Sequence, residues 1–138
     1  DELEIINSGI AEGEITGGNL ALLAATIGTP YELQTDNKLL FIEDIGEEPY
    51  NIDRMLSQLN NAGKLDNLAG LIIGNFTDSE PKNYDPSLTV DEVIDDYFAD
   101  VNYPVIRNLS FGHDKTQLTI PFGVKAKLDT SNISLKIN

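Results

Sequence analysis

The sequence predicts one α/β domain over residues 1–138, a mixed sheet with a strand-helix-strand-helix centre and β-hairpin strands at both ends. Three observations lead there. Two continuous apolar runs, Lys38-Leu39-Leu40-Phe41-Ile42 and Leu71-Ile72-Ile73-Gly74-Asn75-Phe76, have the pattern of strands covered on both faces. Ile52, Met55, Leu56 and Leu59, and later Val90, Val93, Ile94, Tyr97 and Phe98, recur at helical spacing. Toward the C-terminus the pattern turns to alternation, the period of half-buried strands.

In chain order, Leu3-Glu4-Ile5-Ile6 and residues 10–15 form two short strands about the turn-forming Asn7-Ser8-Gly9. Gly17-Gly18 is expected to break the chain. Asn19 then caps a helix over residues 20–27, ended by Gly28, whose apolar surface on nearly every side predicts burial. The strand at 38–42 is expected to stop at Glu43-Asp44-Ile45-Gly46. Pro49 opens the next helix, where its fixed φ suits the first turn and its missing N–H costs nothing, and Gly63 closes it. After the strand at 71–76 comes a polar loop from Thr77 to Ser87, with Pro81 and Pro86 in it. Thr89 with Glu92 three residues on makes a capping box for the third helix. Val105-Ile106 adds a short strand. Leu118-Thr119-Ile120, Val124-Lys125-Ala126-Lys127-Leu128 and Ile133-Ser134-Leu135-Lys136-Ile137 are the alternating segments, and Thr130-Ser131-Asn132 turns between the last two.

Composition narrows the function. With 9 Lys and Arg against 23 Asp and Glu, the formal charge of −14 repels phosphate backbones and anionic lipid, which argues against nucleic-acid and membrane-surface partners. Cysteine is absent, so there is no disulfide framework or thiolate metal site, and a single histidine leaves a zinc site short of ligands. Carboxylate-only calcium or magnesium sites stay open. With no basic, apolar leader and no apolar run near ~18 residues, a cytoplasmic location is expected. The chain opens at Asp1 almost directly in a strand, as expected of a segment of something longer.

His113, in Leu109-Ser110-Phe111-Gly112-His113-Asp114-Lys115-Thr116, is the natural proton carrier near neutral pH, since no other group here titrates there unperturbed. Glu43 lies at the end of its strand, where α/β sheets present reactive side chains, and a carboxylate there can orient an imidazole as a triad acid does. From spacing alone, ordinary strand-end charges at Glu43 and Asp44 and a solvated or structural histidine are the favoured explanations. A nucleophile is missing. None of the seven serines sits on a strand-turn-helix elbow, and Ser110, nearest to His113, lacks the first glycine of that motif. Gly17-Gly18-Asn19 at a helix start has the form of a small anion nest or a simple cap. Asp91, Glu92, Asp95 and Asp96 form an acidic helix face whose spacing fits no cation loop, so it is expected to be solvated.

Several motifs together resemble one family. Ile10-Ala11-Glu12-Gly13, Gly17-Gly18-Asn19-Leu20, Ile27-Gly28-Thr29-Pro30-Tyr31, Leu40-Phe41-Ile42-Glu43-Asp44-Ile45-Gly46-Glu47, Pro49-Tyr50 and Ile52-Asp53-Arg54-Met55-Leu56 are similar to the C-terminal half of LD-carboxypeptidases. The resemblance continues in order through Gly70-Leu71-Ile72-Ile73-Gly74-Asn75-Phe76, Pro104-Val105-Ile106, Gly112-His113 and Leu118-Thr119-Ile120-Pro121-Phe122-Gly123-Val124.

The resemblance implies a swivelling β/β/α domain from a cytoplasmic serine peptidase that needs no metal or other cofactor and removes the terminal D-alanine of murein tetrapeptide during cell-wall recycling. It implies a Ser-Glu-His triad divided between two domains. Glu43 matches the acid, with Glu47 as the reserve candidate, and His113 matches the general base. The serine belongs to an N-terminal domain, similar to class I glutamine amidotransferases, that has no counterpart in residues 1–138, so the segment alone is expected to be inactive. Gly17, Gly18 and Asn19 would line the cleft where substrate binds, and family members commonly form dimers. Microcin immunity peptidases, which cleave acyl-sulfamoyl-adenylate antibiotics, share the resemblance and provide the alternative substrate class. A non-catalytic binding module is the alternative outside enzymology.

Overall fold

A computed structural model of the chain describes residues 2–109 and 119–138. Its elements run β1 (Glu4–Asn7), β2 (Ile10–Asn19), α1 (Leu20–Ala25), β3 (Leu39–Ile45), α2 (Pro49–Asn61), β4 (Gly70–Thr77), α3 (Val90–Phe98), β5 (Val105–Leu109), β6 (Lys125–Asp129) and β7 (Ser134–Ile137). The strands form one mixed sheet in the order β1-β5-β4-β3-β2-β6-β7. β2, β3, β4 and β5 are mutually parallel neighbours, whereas β1–β5, β2–β6 and β6–β7 are antiparallel.

The long strand β2 sets the shape. Its first half pairs with β6, from Ile10 opposite Asp129 to Glu14 opposite Lys125, and its second half pairs with β3, from Ile15 opposite Leu39 to Asn19 opposite Glu43. The sheet therefore curls, and β6 covers one face of the parallel strands while the helices cover the other. Alternation along β3 sorts its side chains accordingly. Leu40 and Ile42 join Leu20, Ile52, Leu56, Ile94 and Phe98 on the helix side, whereas Leu39 and Phe41 join Ile15, Ile72, Ala126 and Leu128 beneath the curl. All four of these β3 residues are buried, as a run covered on both faces requires.

Local signals set the helices. Thr89 accepts from the Glu92 N–H while the Glu92 carboxylate takes the Thr89 N–H, so the expected capping box is present. Pro49 occupies the first turn of α2, and Ile52, Met55, Leu56 and Leu59 are its buried stripe. α1 differs from expectation, ending at Ala25 with only Leu20 and Ala24 buried and with Leu22 exposed at 69%. Only one side of so short a helix can reach the sheet.

Three further expectations are corrected. β1 and β2 do not form a hairpin, because β1 crosses to pair with β5 while Asn7 Nδ2 donates to the Phe98 carbonyl and Gly9 bonds Thr130. Gly17-Gly18 does not break β2, which runs through to Asn19. Thr119 and Ile120 carry no strand, and Leu118 lies outside the described residues. At the other end the β6–β7 hairpin forms as expected, its turn tied by the Asp129 carboxylate, which accepts from Ser131 and Asn132.

The acidic face of α3 is exposed, as expected, but two of its acids have a partner. Arg107 on β5 lies 3.0 Å from Asp95, 3.7 Å from Asp91 and 2.6 Å from Glu4 on β1, tying the edge strand to the helix. Partial burial alone would lower the guanidinium pKa, and the hydrogen bond with Glu4 and the surrounding carboxylates outweigh it and raise it.

Tyr103 anchors the loop before β5, donating its hydroxyl to the Leu65 carbonyl at 2.9 Å. Burial first, and the charge of Asp66 second, push its pKa from 10.0 to about 12. Because the folded value is the higher one, the stability linked to this proton is complete below pH ~10 and is lost as pH rises toward the folded value. Unfolding free energy measured between pH 9 and pH 12 is expected to fall by about 2 kcal/mol more in the parent than in Tyr103→Phe. Parallel slopes for the two proteins would contradict the assignment.

Candidate active site

The C-terminal ends of the parallel strands bring together Gly17, Gly18, Asn19 and Glu43. β3 does not stop at Ile42 as expected but continues to Ile45, so Glu43 and Asp44 are strand residues pointing to opposite faces. Glu43 follows Leu39 and Phe41 onto the face away from the helices. A Cβ built at Gly74 on β4 would lie 3.2 Å from the Glu43 Cβ and 3.1 Å from the Phe41 ring, which places the three residues together. Glu43 is half-buried.

Asp44 points to the helix side and is 3% exposed. Its carboxylate accepts from Asn19 Nδ2 at 3.0 Å, from the Ala21 N–H at 2.9 Å and from its own neighbour Ile45 N–H at 2.8 Å. One buried acid thus takes up an otherwise orphaned amide of the first turn of α1 and fixes the Asn19 side chain. Asn19 in turn accepts from the Leu22 N–H at 3.1 Å, the N-cap expected from sequence. Strand parity was the available signal for Asp44, since it shares a face with Leu40 and Ile42, and counting it as a strand-end charge missed this.

Gly17 and Gly18 bring β2 against the same place. Gly17 is opposite Phe41, Gly18 opposite Ile42 and Asn19 opposite Glu43. Gly17 has φ +136°, and a Cβ there would fall 1.9 Å from the Phe41 carbonyl oxygen, so no larger residue fits this backbone approach. Glu47 is placed differently. It follows Gly46, whose positive φ of 73° turns the chain after β3, and it precedes α2. Glu43 is therefore held in a strand between two neighbours, and Glu47 sits in the connecting loop.

Two register slips occur at this end of the sheet. Between β3 and β4, Ile42 faces Ile73 but Asp44 faces Phe76; between β4 and β5, Ile72 faces Ile106 but Gly74 faces Leu109. Asn108, inside the second slip, has φ +63°. Such bulges bend a strand and redirect its side chains. His113, Gly112 and Ser110 lie outside the described residues and follow Leu109, the last residue of β5, in sequence. No cluster of three or more metal-ligating side chains occurs among the described residues, nor is any helix of theirs long and apolar enough to cross a membrane.

Comparison with known proteins supplies context for this geometry. A family model described as the LD-carboxypeptidase C-terminal domain matches residues 12–128. A probable murein peptide carboxypeptidase of Bacillus subtilis strain 168 is 46% identical over 123 residues, covering 89% of this chain and 39% of the relative. The crystal structure of a muramoyltetrapeptide carboxypeptidase from Oxalobacter formigenes superposes with a TM-score of 0.82 at 33% identity, over 95% of this chain and 45% of that one. The structure of MccF in complex with glutamyl sulfamoyl guanosine gives 0.84 at 26% identity, over 99% of this chain and 40% of that one. The chain thus spans less than half the length of each of these relatives.

Proposed function

This chain belongs to the LD-carboxypeptidase C-terminal domain family, and on that premise we propose that it is the acid-base half of a serine carboxypeptidase that releases the terminal D-alanine from murein tetrapeptide. The observation that carries the proposal is the position of Glu43, on a parallel strand end beside Gly17, Gly18 and Asn19, in a chain where His113 follows the end of β5 by four residues in sequence. Reach supports the pairing. β3 and β5 are separated by β4 alone, so the span between them is about two strand spacings, or ~10 Å. His113 lies four residues beyond Leu109, and four residues can extend over up to ~14 Å.

In the proposed mechanism His113 removes the proton of a serine contributed by the rest of the protein as that oxygen attacks the D-alanine peptide carbonyl. Glu43 holds the imidazole tautomer and stabilises the imidazolium. The imidazolium protonates the departing D-alanine amine, and the acyl-serine is then hydrolysed by a water that His113 deprotonates. Gly17, Gly18 and Asn19 line the cleft, with Asn19 already oriented by Asp44. Glu43 is favoured over Glu47 as the acid because it lies within β3, opposite Asn19 on β2, whereas Glu47 lies in the loop beyond Gly46.

The murein substrate is preferred because the relative of highest identity reported above, at 46%, is a probable murein peptide carboxypeptidase. A second substrate class, aminoacyl sulfamoyl nucleotides, is favoured by the TM-score of 0.84 to MccF. Parallel assays of the full-length protein on a defined tetrapeptide and on glutamyl sulfamoyl guanosine separate the two. D-alanine release with the nucleotide intact is expected, and the opposite preference would reassign the substrate.

A further inference from the structure

We infer that Gly74 is a positioning residue for Glu43, acting by leaving a notch that the Phe41 ring and the stem of Glu43 share. The inference rests on Glu43 being the triad acid. Gly74 has no conformational need to be glycine, since its φ is not in the left-handed region where Gly17 and Gly46 lie. Space is what it supplies. A methyl at this position would meet Phe41 Cε2 and Cζ at 3.1 Å and Glu43 Cβ at 3.2 Å, all tighter than ordinary van der Waals contact.

The neighbours differ in how far they can yield. The Glu43 Cβ is placed by its backbone, which is paired to Asn19 on β2 and lies inside the β3–β4 register slip, so the contact is relieved by a local shift of β3 or β4 and not by a side-chain rotamer. The Phe41 ring is 6% exposed and sits with its centroid 6.2 Å from that of Phe122, which is itself 50% exposed and can retreat. An added methyl therefore presses on both, and β3 shifts and carries the Glu43 carboxylate with it unless the Phe41 ring yields and lets the methyl on β4 settle toward it. Gly74 also lies within the β3–β4 register slip and at the edge of the β4–β5 slip, where β4 is displaced relative to each neighbour. The bulges and the missing side chain together set the distance between β4 and the base of Glu43.

The test compares full-length Gly74→Ala, Phe41→Leu and the double variant by steady-state D-alanine release from tetrapeptide, with thermal unfolding to establish that each is folded. Gly74→Ala is expected to lower kcat about tenfold or more while KM stays within about twofold, the pattern of a group misplaced at the chemical step. Shortening Phe41 vacates the space the methyl needs, so the double variant is expected to regain at least about fivefold in kcat over Gly74→Ala, even though it removes more packing. A lesion that merely loosened the sheet would worsen in the double variant. The inference is overturned if Gly74→Ala retains parental kcat, or if the double variant is no faster than Gly74→Ala. Should Gly74→Ala not fold, the double variant compared with Phe41→Leu decides alone, and a difference beyond about threefold in kcat contradicts the notch. Glu43→Gln run beside them separates the two levels: parental activity in that variant removes Glu43 as the acid, whereas a large loss with an unaffected Gly74→Ala removes only Gly74.

Discussion

Replacing His113 by Ala in the full-length protein is expected to abolish D-alanine release, and Glu43→Gln to lower kcat by about 10²- to 10⁴-fold, while Glu47→Gln should cost less than about tenfold. The ranking follows from where the groups sit. An acid that orients an imidazole acts through a fixed hydrogen bond, and a strand residue flanked by β2 and β4 can hold such a bond in a way that a residue beyond the Gly46 turn does not. Glutamine keeps the size of Glu43 but exchanges a charged acceptor for an amide, so the loss measures the charge and not the packing. Steady-state kinetics with thermal unfolding as the folding control read all three variants. A larger loss for Glu47→Gln than for Glu43→Gln would move the acid to Glu47.

The second large effect is on stability. Gly17→Ala is expected to cost more than about 3 kcal/mol, because the new Cβ would overlap the Phe41 carbonyl in addition to straining a backbone at φ +136°. Gly18→Ala provides the internal comparison. Gly18 has a similar φ of +142° but nothing within 4 Å of a built Cβ, so only conformational strain remains, about 1–2 kcal/mol. Urea unfolding should show the midpoint of Gly17→Ala well below that of Gly18→Ala with unchanged slopes. Equal losses would mean that backbone approach between β2 and β3 is not what requires glycine at position 17.

The contrast between these glycines shows what a sequence can reveal here. The capping box at Thr89 and Glu92, the proline start of α2 and the buried runs of β3 and β4 are set by residues within a turn or a strand of one another, and all were legible. Gly17-Gly18 looked like a break because glycine is a poor strand former, yet its reason for being there is the carbonyl of Phe41, a contact between strands that no local pattern reports. The same holds for β1, whose partner β5 lies about a hundred residues away, anchored by Arg107 and by the Asn7 side chain. At the candidate site, the N-cap of Asn19 was legible from its place before an apolar run, and Glu43 was singled out by motif and by its place near a strand end. Asp44 required strand parity, and Gly74 required coordinates, since a notch is defined by what surrounds it.

In the proposed triad this chain supplies Glu43 as the acid and His113 as the base, and the nucleophile lies elsewhere in the protein. Serine-directed fluorophosphonate labelling of the full-length enzyme, mapped by peptide mass spectrometry, tests it most directly. A single labelled serine outside residues 1–138 is expected, with labelling abolished by His113→Ala. A label on any of the seven serines of this chain, or labelling that persists at the parental rate without His113, would contradict it.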